Sequence, residues 1–138
     1  MNCNFEEVYQ NGDTQQGLLW IKNENLRYQY NDNNLYTIIL KDKRFFLIDN
    51  KYQNAQRLNE KTDTFEIILQ AFKDFPNVKD SYKNDQVKIK IEKSNNNFIK
   101  RISILSSQSN LSLNFFSCVE EIILDDYFDY LNFKKYKY

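Results

Sequence analysis

The sequence predicts a mainly β protein of the α+β class: an antiparallel curved sheet forming an unclosed half-barrel with a short helical lid, in a single domain over residues 1–138. Three observations predict it. Short β-branched and aromatic runs recur between Asn/Asp/Lys-rich breaks, and only one segment carries a strong helical period. A sheet of about eight strands is also too wide for one helix of roughly 16 Å to cover, so it has to curl on itself.

The first block of strands reads as a meander. A strand-like segment starts almost at Met1, and Leu18 to Ile21, Leu26 to Tyr30, Leu35 to Leu40 and Arg44 to Ile48 follow, broken at 22–25, 31–34 and 41–43. Within Leu26-Arg27-Tyr28-Gln29-Tyr30 the alternation puts Leu26, Tyr28 and Tyr30 on an apolar face and Arg27 and Gln29 on a wet one. The helix spans Asp63 to about Lys73. Phe65, Ile68, Leu69 and Phe72 recur at i, i+3, i+4 and i+7, Asp63 and Glu66 have capping-box spacing, and Pro76 stops any continuation. A second block returns to period two: Val87, Ile89 and Ile91 alternate with Lys88, Lys90 and Glu92. Turns at 94–97 and 106–110 then lead into strands over Phe98 to Leu105 and Leu111 to Cys118. Asp125 to Phe128 predicts a turn or short helical turn. The basic end, Lys134 to Tyr138, reads as a charged, frayed terminus in preference to a single-strand nucleic-acid contact.

Composition excludes several chemistries. There is no His, so His-dependent triads, His-ligated zinc and imidazole switches are absent. Gly occurs only at positions 12 and 17, which rules out a P-loop or a dinucleotide fingerprint, and Cys3 and Cys118 are too few for a four-thiolate metal site. Nineteen Lys plus Arg balance nineteen Asp plus Glu, so nothing in the net charge favours nucleic acid. Glu6-Glu7, Glu120-Glu121 and Asp125-Asp126 are adjacent pairs, which in strands point to opposite faces. The expectation is a binding protein, not an enzyme, with no cofactor and no metal. Eleven Phe, ten Tyr and one Trp supply its apolar surface. Two arrangements stay open: these rings fill the interior, or they line a cavity for an acyl chain or another lipid. Pairing of Cys3 with Cys118 also stays open.

The order of motifs resembles one known family. Gly17-Leu18-Leu19-Trp20-Ile21-Lys22, Leu26-Arg27-Tyr28-Gln29-Tyr30, Ile38-Ile39-Leu40-Lys41-Asp42-Lys43 and Phe46-Leu47-Ile48-Asp49 are similar to successive strands of the outer-membrane lipoprotein carrier family, LolA. Leu58 to Leu69 falls where that family has a short helix, and Ile123 to Tyr130 resembles its closing segment. Asn23-Glu24 stands where the family has Arg-Pro, and Lys43 where its Asp-Gly turn has glycine. The family's signal peptide and first helix have no counterpart in the chain as given, which carries no export signal of its own.

The resemblance implies a monomeric periplasmic carrier that holds lipoprotein acyl chains, or another lipid, in an apolar cavity for transfer toward the outer membrane. It implies as partners the membrane proteins that sort lipoproteins at the inner and outer membranes. The candidate lipid-binding residues are Trp20, Leu26, Tyr28, Tyr30, Ile39, Phe46, Ile48 and Phe115 on the wall, with Phe65, Ile68, Leu69 and Phe72 on the helix. The alternative is a protein-interaction module that uses the open sheet as its binding surface.

Overall fold

A computed structural model describes residues 1–58, 63–106 and 110–136. They form one open antiparallel sheet of ten strands and one helix. In chain order the elements are β1 (Asn2–Tyr9), β2 (Thr14–Lys22), β3 (Asn25–Tyr30), β4 (Tyr36–Lys41), β5 (Arg44–Asp49) and β6 (Asn54–Leu58), then α1 (Asp63–Lys73). The second block is β7 (Ser81–Lys83), β8 (Lys88–Lys93), β9 (Ile99–Leu105) and β10 (Asn110–Val119), followed by a 3₁₀ turn over Asp125–Phe128.

The spatial order is β6-β5-β4-β3-β2-β1-β10-β9-β8-β7. The chain thus starts in the middle of the sheet and steps outward to β6. It then crosses by way of α1 to the opposite edge and steps back inward until β10 lies against β1. Every neighbouring pair but β1 and β10 is a hairpin, which explains why local alternation was readable. Three strands escaped the sequence reading as distinct elements: β1 was only an indistinct start, while the short edge strands β6 and β7 are largely polar. The capping-box residue Asp63 begins α1, but its side chain lies outside the described residues, as does most of the turn expected at 106–110.

Curvature follows from what α1 touches. Phe65 packs edge-on against Tyr28 of β3 at 5.2 Å and tilted against Phe45 of β5 at 6.2 Å, while Phe72 meets Phe115 of β10 at 5.2 Å. β5 and β10 are five places apart, about 24 Å across a flat sheet. Phe65 and Phe72 are only about 11 Å apart along the helix. The sheet therefore wraps around α1. A register shift in β1 against β10 between Asn2 and Asn4, with Ser117 at φ 53°, adds a bulge and local bending where the two halves meet.

The concave face is one continuous core. It runs from Leu26, Tyr28, Leu40 and Phe45 through Cys3, Phe5 and Leu19 to Ile89, Ile102 and Leu113, with Ile67, Ile68, Leu69, Ala71 and Phe72 pressed down from α1. Phe5 stacks on Tyr28 at 4.0 Å and lies over Gly17, its register partner. A Cβ at Gly17 would meet the ring at 2.3 Å and the Gln29 carbonyl oxygen at 2.2 Å, so only glycine fits. Cys3 and Cys118 form a disulfide across β1 and β10, with Cα atoms 4.1 Å apart.

The convex face corrects two expectations. Arg27 and Gln29 are 0% and 1% exposed, so the face expected to be wet is dry. As far as residue 136 the terminus is not frayed either: residues 120–136 run back over β2–β5, and 137–138 lie outside the described residues. Arg27 donates from Nη1 to the Tyr127 carbonyl at 3.2 Å and from Nη2 to the Lys134 carbonyl at 2.8 Å. Gln29 exchanges hydrogen bonds with the Tyr136 backbone at 2.8 and 3.1 Å, and Lys135 Nζ donates to the Tyr30 carbonyl at 2.8 Å. A buried guanidinium needs acceptors, and the tail carbonyls supply them; its desolvation still brings Arg27 down to about 10.

Candidate functional site

At one end of the half-barrel, α1 does not close fully onto the sheet. A cavity of about 550 Å³ lies between the helix, the β4–β5 turn, the end of β6 and the β2–β3 turn. Its floor is apolar, made by Leu40, Phe45, Leu58 and Leu69, all continuous with the concave core. Strand register brings the first three together: Leu40 pairs with Phe45, and Phe45 pairs with Leu58. Leu69 comes from the buried side of α1, one turn beyond Phe65.

The rim is charged: Lys43, Arg44, Arg57 and Lys73 border it together with Glu24 and Glu66. Lys73 and Glu24 form an ion pair that ties the last turn of α1 to the β2–β3 turn. Lys43, Arg44 and Arg57 have no ion-pair or side-chain hydrogen-bond partner among the described residues. Asp42 and Lys43 both carry positive φ, 52° and 65°, which makes the β4–β5 connection a two-residue turn of the kind that glycine favours at its second position. Glycine's absence here places a cationic side chain on the rim.

A second feature sits on the concave face toward the other end of the strands. Glu7, 4% exposed, accepts hydrogen bonds from the hydroxyls of Tyr9 at 2.5 Å, Tyr28 at 2.5 Å and Tyr30 at 2.7 Å. Burial first, and then the Glu7 carboxylate, pushes Tyr9 up to about 12 and raises Tyr28 and Tyr30 as well. Ionising any of these phenols would place a second negative charge beside Glu7. The three therefore remain donors, and the carboxylate is satisfied in a dry interior. Glu6, its neighbour in sequence, faces the opposite side and accepts from Gln16 at 3.2 Å. Tyr9 and Tyr30 also border an open groove of about 670 Å³ with Tyr36, Ile38 and Leu47.

Eight of the twelve sequence candidates meet on the concave side. Leu26, Tyr28, Ile68, Leu69, Phe72 and Phe115 are buried there, and Tyr30 and Phe65 are half-buried at its margin. Trp20, Ile39, Phe46 and Ile48 do not join them. Trp20 packs on the convex face with Leu18, Ile123 and Phe128, while Ile39, Phe46 and Ile48 form another convex cluster under the tail. The reason is parity. Tyr28 pairs with Leu19 and Ile38, so Trp20 and Ile39, one residue on, point the other way. Tyr127 and Tyr136 then cover Trp20 at 5.4 and 5.6 Å, and Tyr130 stacks on Phe46 at 4.2 Å.

Of the twelve, only Leu69 lines the 550 Å³ cavity. Leu40, Phe45, Leu58 and the cationic rim were missed, as was Glu7. Carrying the Tyr28 parity across each hairpin would have found Leu40 and Phe45. Nothing local marks Arg57 or Glu7.

The disulfide is a feature of oxidising compartments. No helix among the described residues is long and apolar enough to cross a membrane, and no group of three or more His, Cys, Asp or Glu among them is placed to hold a metal ion. No protein-family model matches the chain, and no curated protein sequence matches it.

Proposed function

We propose that the protein is an acyl-chain carrier that seats its ligand between α1 and the concave sheet face, with α1 as the lid. On this reading it works in the periplasm and moves lipoprotein acyl chains, or another lipid, toward the outer membrane. The observation that carries the proposal is the cavity of about 550 Å³ whose apolar floor opens from the core beside the only helix among the described residues. Its size lies within the roughly 300–1,000 Å³ of pockets that hold one small ligand. Beyond this cleft the core under α1 is packed, so further room beside the ligand has to come from displacing α1. The resemblance to the lipoprotein-carrier family supports the reading, and the disulfide supports an oxidising compartment.

The test is extraction of the purified protein with organic solvent and mass spectrometry of the extract, repeated on Leu69→Trp. The larger side chain should obstruct the apolar floor of the cavity, and the retained melt checks that its indole N–H is tolerated. Co-purified lipid in the native protein, and its loss in the variant with the cooperative melt retained, is the expected result. Lipid-free native protein that also fails to take up added lipid would sink the carrier reading.

One observation favours a second reading, a protein-interaction module: among the described residues β6 ends the sheet with no outer neighbour, and Asn54, Gln56 and Arg57 along it are exposed. A partner strand added there would co-purify as protein, not lipid.

A further inference from the structure

We infer that the preferred ligand is a single-chain lipid with an anionic headgroup, held with its chain on the apolar floor and its head among Lys43, Arg44, Arg57 and Lys73. This rests on the carrier reading and narrows it.

Charge distribution is the first argument. The whole chain has a formal net charge of zero, yet this rim gathers four cations against Glu24 and Glu66. One cation, Lys73, is neutralised by Glu24, and the other three have no ionic partner among the described residues. Cations that border an apolar floor match a molecule that is apolar at one end and negative at the other. A low-dielectric wall concentrates their field on the cavity mouth.

The β4–β5 turn is the second argument. Lys43 holds φ 65°, a left-handed conformation in which a residue with a Cβ is less stable than glycine. A lysine at such a position on the border of the cavity supplies a charge that a headgroup can use, where turn stability alone favours glycine.

Size is the third argument. About 550 Å³ in a partly open cleft suits one chain, and several chains need more than this cleft offers. Two headgroup chemistries satisfy the rim equally, a carboxylate and a phosphate. They differ in charge at neutral pH and in how many cations they engage at once.

The experiment is a binding titration of the whole protein with cis-parinaric acid, its methyl ester, a lysophosphatidylglycerol and diacyl phosphatidylglycerol, the last two as competitors. The expected result is that the acid binds at least tenfold more tightly than its methyl ester, and that added salt narrows this gap. Lys43→Gln with Arg57→Gln, both at exposed positions, should weaken the acid by about tenfold and leave the ester unchanged. Displacement by lysophosphatidylglycerol at lower concentration than free acid identifies phosphate as the preferred head, and the reverse order identifies carboxylate. Equal binding of acid and ester, with no effect of the double variant or of salt, overturns the anionic head while the carrier reading stands. Displacement by diacyl lipid as effective as by lyso-lipid overturns the single chain. Binding of none of the four defeats both readings.

Discussion

Removing the Cys3–Cys118 cross-link should cost this fold a large share of its stability. The two cysteines are 115 positions apart, so the bond closes a loop of nearly the entire chain. In the chain-entropy account a loop of that length restricts the unfolded state by about 5 kcal/mol at 25 °C, an upper figure because denatured chains are already partly compact. A domain of this size has roughly 5–15 kcal/mol in total. The position of the bond adds to the effect. β1 and β10 are the one neighbouring pair in the sheet not joined by a hairpin, so every other pairing is short-range and this one joins the outward-stepping half to the inward-stepping half.

The variant is Cys3→Ala with Cys118→Ala, followed by urea unfolding beside the oxidised parent. A loss of about 3–5 kcal/mol at a slope near 1.5 kcal/mol/M lowers the midpoint by roughly 2–3 M. The slope itself should rise, because the unlinked chain exposes more surface when it unfolds. Reduction of the parent should reproduce the variant's curve. A midpoint shift of less than about 0.5 M, with an unchanged slope, would mean that β1–β10 pairing holds the halves together without the bond, and the loop argument would fail.

Gly17→Ala should be nearly as damaging for a different reason. The new methyl group would sit 2.2 Å from the Gln29 carbonyl oxygen and 2.3 Å from the Phe5 ring, so backbone as well as side chain must move. A loss of about 3 kcal/mol, at the upper end of overpacking costs, is expected in thermal or urea melts. A loss under about 1 kcal/mol, or full rescue by Phe5→Leu, would contradict it. At high pH the tyrosine cluster sets a second expectation. The folded-state values of Tyr9, Tyr28 and Tyr30 are raised above the ordinary 10, with Tyr9 at about 12, so unfolded chains release these protons first. Their contribution is whole below pH 10 and declines above it; the share of Tyr9 is gone once pH has risen through about 12. Arg27, brought down to about 10 by burial, slopes the opposite way, so the comparison is parent against Tyr30→Phe. The variant should lose less stability between pH 10 and 12, and the phenolate absorbance by which the folded parent exceeds the variant should appear late; a difference that titrates near 10 would refute the cluster.

Hairpin physics explains what the sequence disclosed. Leu26, Tyr28 and Tyr30 alternate because one face of β3 meets the core, and Phe65, Ile68, Leu69 and Phe72 repeat because one stripe of α1 does. Both are local patterns. Arg27 and Gln29 looked solvated because their polarity is the usual mark of a wet face. Their burial depends on a segment about one hundred residues later, whose carbonyls satisfy them. Trp20 and Phe46 were assigned to the wrong face for a related reason: an apolar side chain announces burial but not the side on which it is buried. The cavity was hardest to see. Its floor combines β4, β5, β6 and α1, and its rim depends on where Arg57 and Lys43 fall at the end of the sheet, which no single window of sequence contains.

The two covers of the sheet differ in kind, and on the carrier reading this bears on how a ligand would enter. Over β2–β5 the tail is fixed by directed bonds: the Arg27 and Gln29 contacts, Lys135 to the Tyr30 carbonyl, and Lys22 Nζ to the Ile123 carbonyl and Asp125, both at 2.9 Å. α1 is held on the concave side by packing, with Lys73–Glu24 as its ion pair to the strands. Lifting the whole helix would expose Ile67, Ile68, Leu69 and Phe72. At about 1.5–3 kcal/mol for each side chain, that is roughly 6–12 kcal/mol, close to the stability of an entire domain. On the carrier reading a ligand would therefore enter without detaching α1. Leu69, Gln70 and Lys73 border the cavity, so an incoming chain would meet the contacts of Leu69 first, while the end of the helix stays tied by Lys73–Glu24, by Phe72 against Phe115 at 5.2 Å and by the Tyr82 hydroxyl donating to Asp74, just beyond the helix, at 2.6 Å. The tail-backed strands β3–β5 would then be the fixed wall of the site.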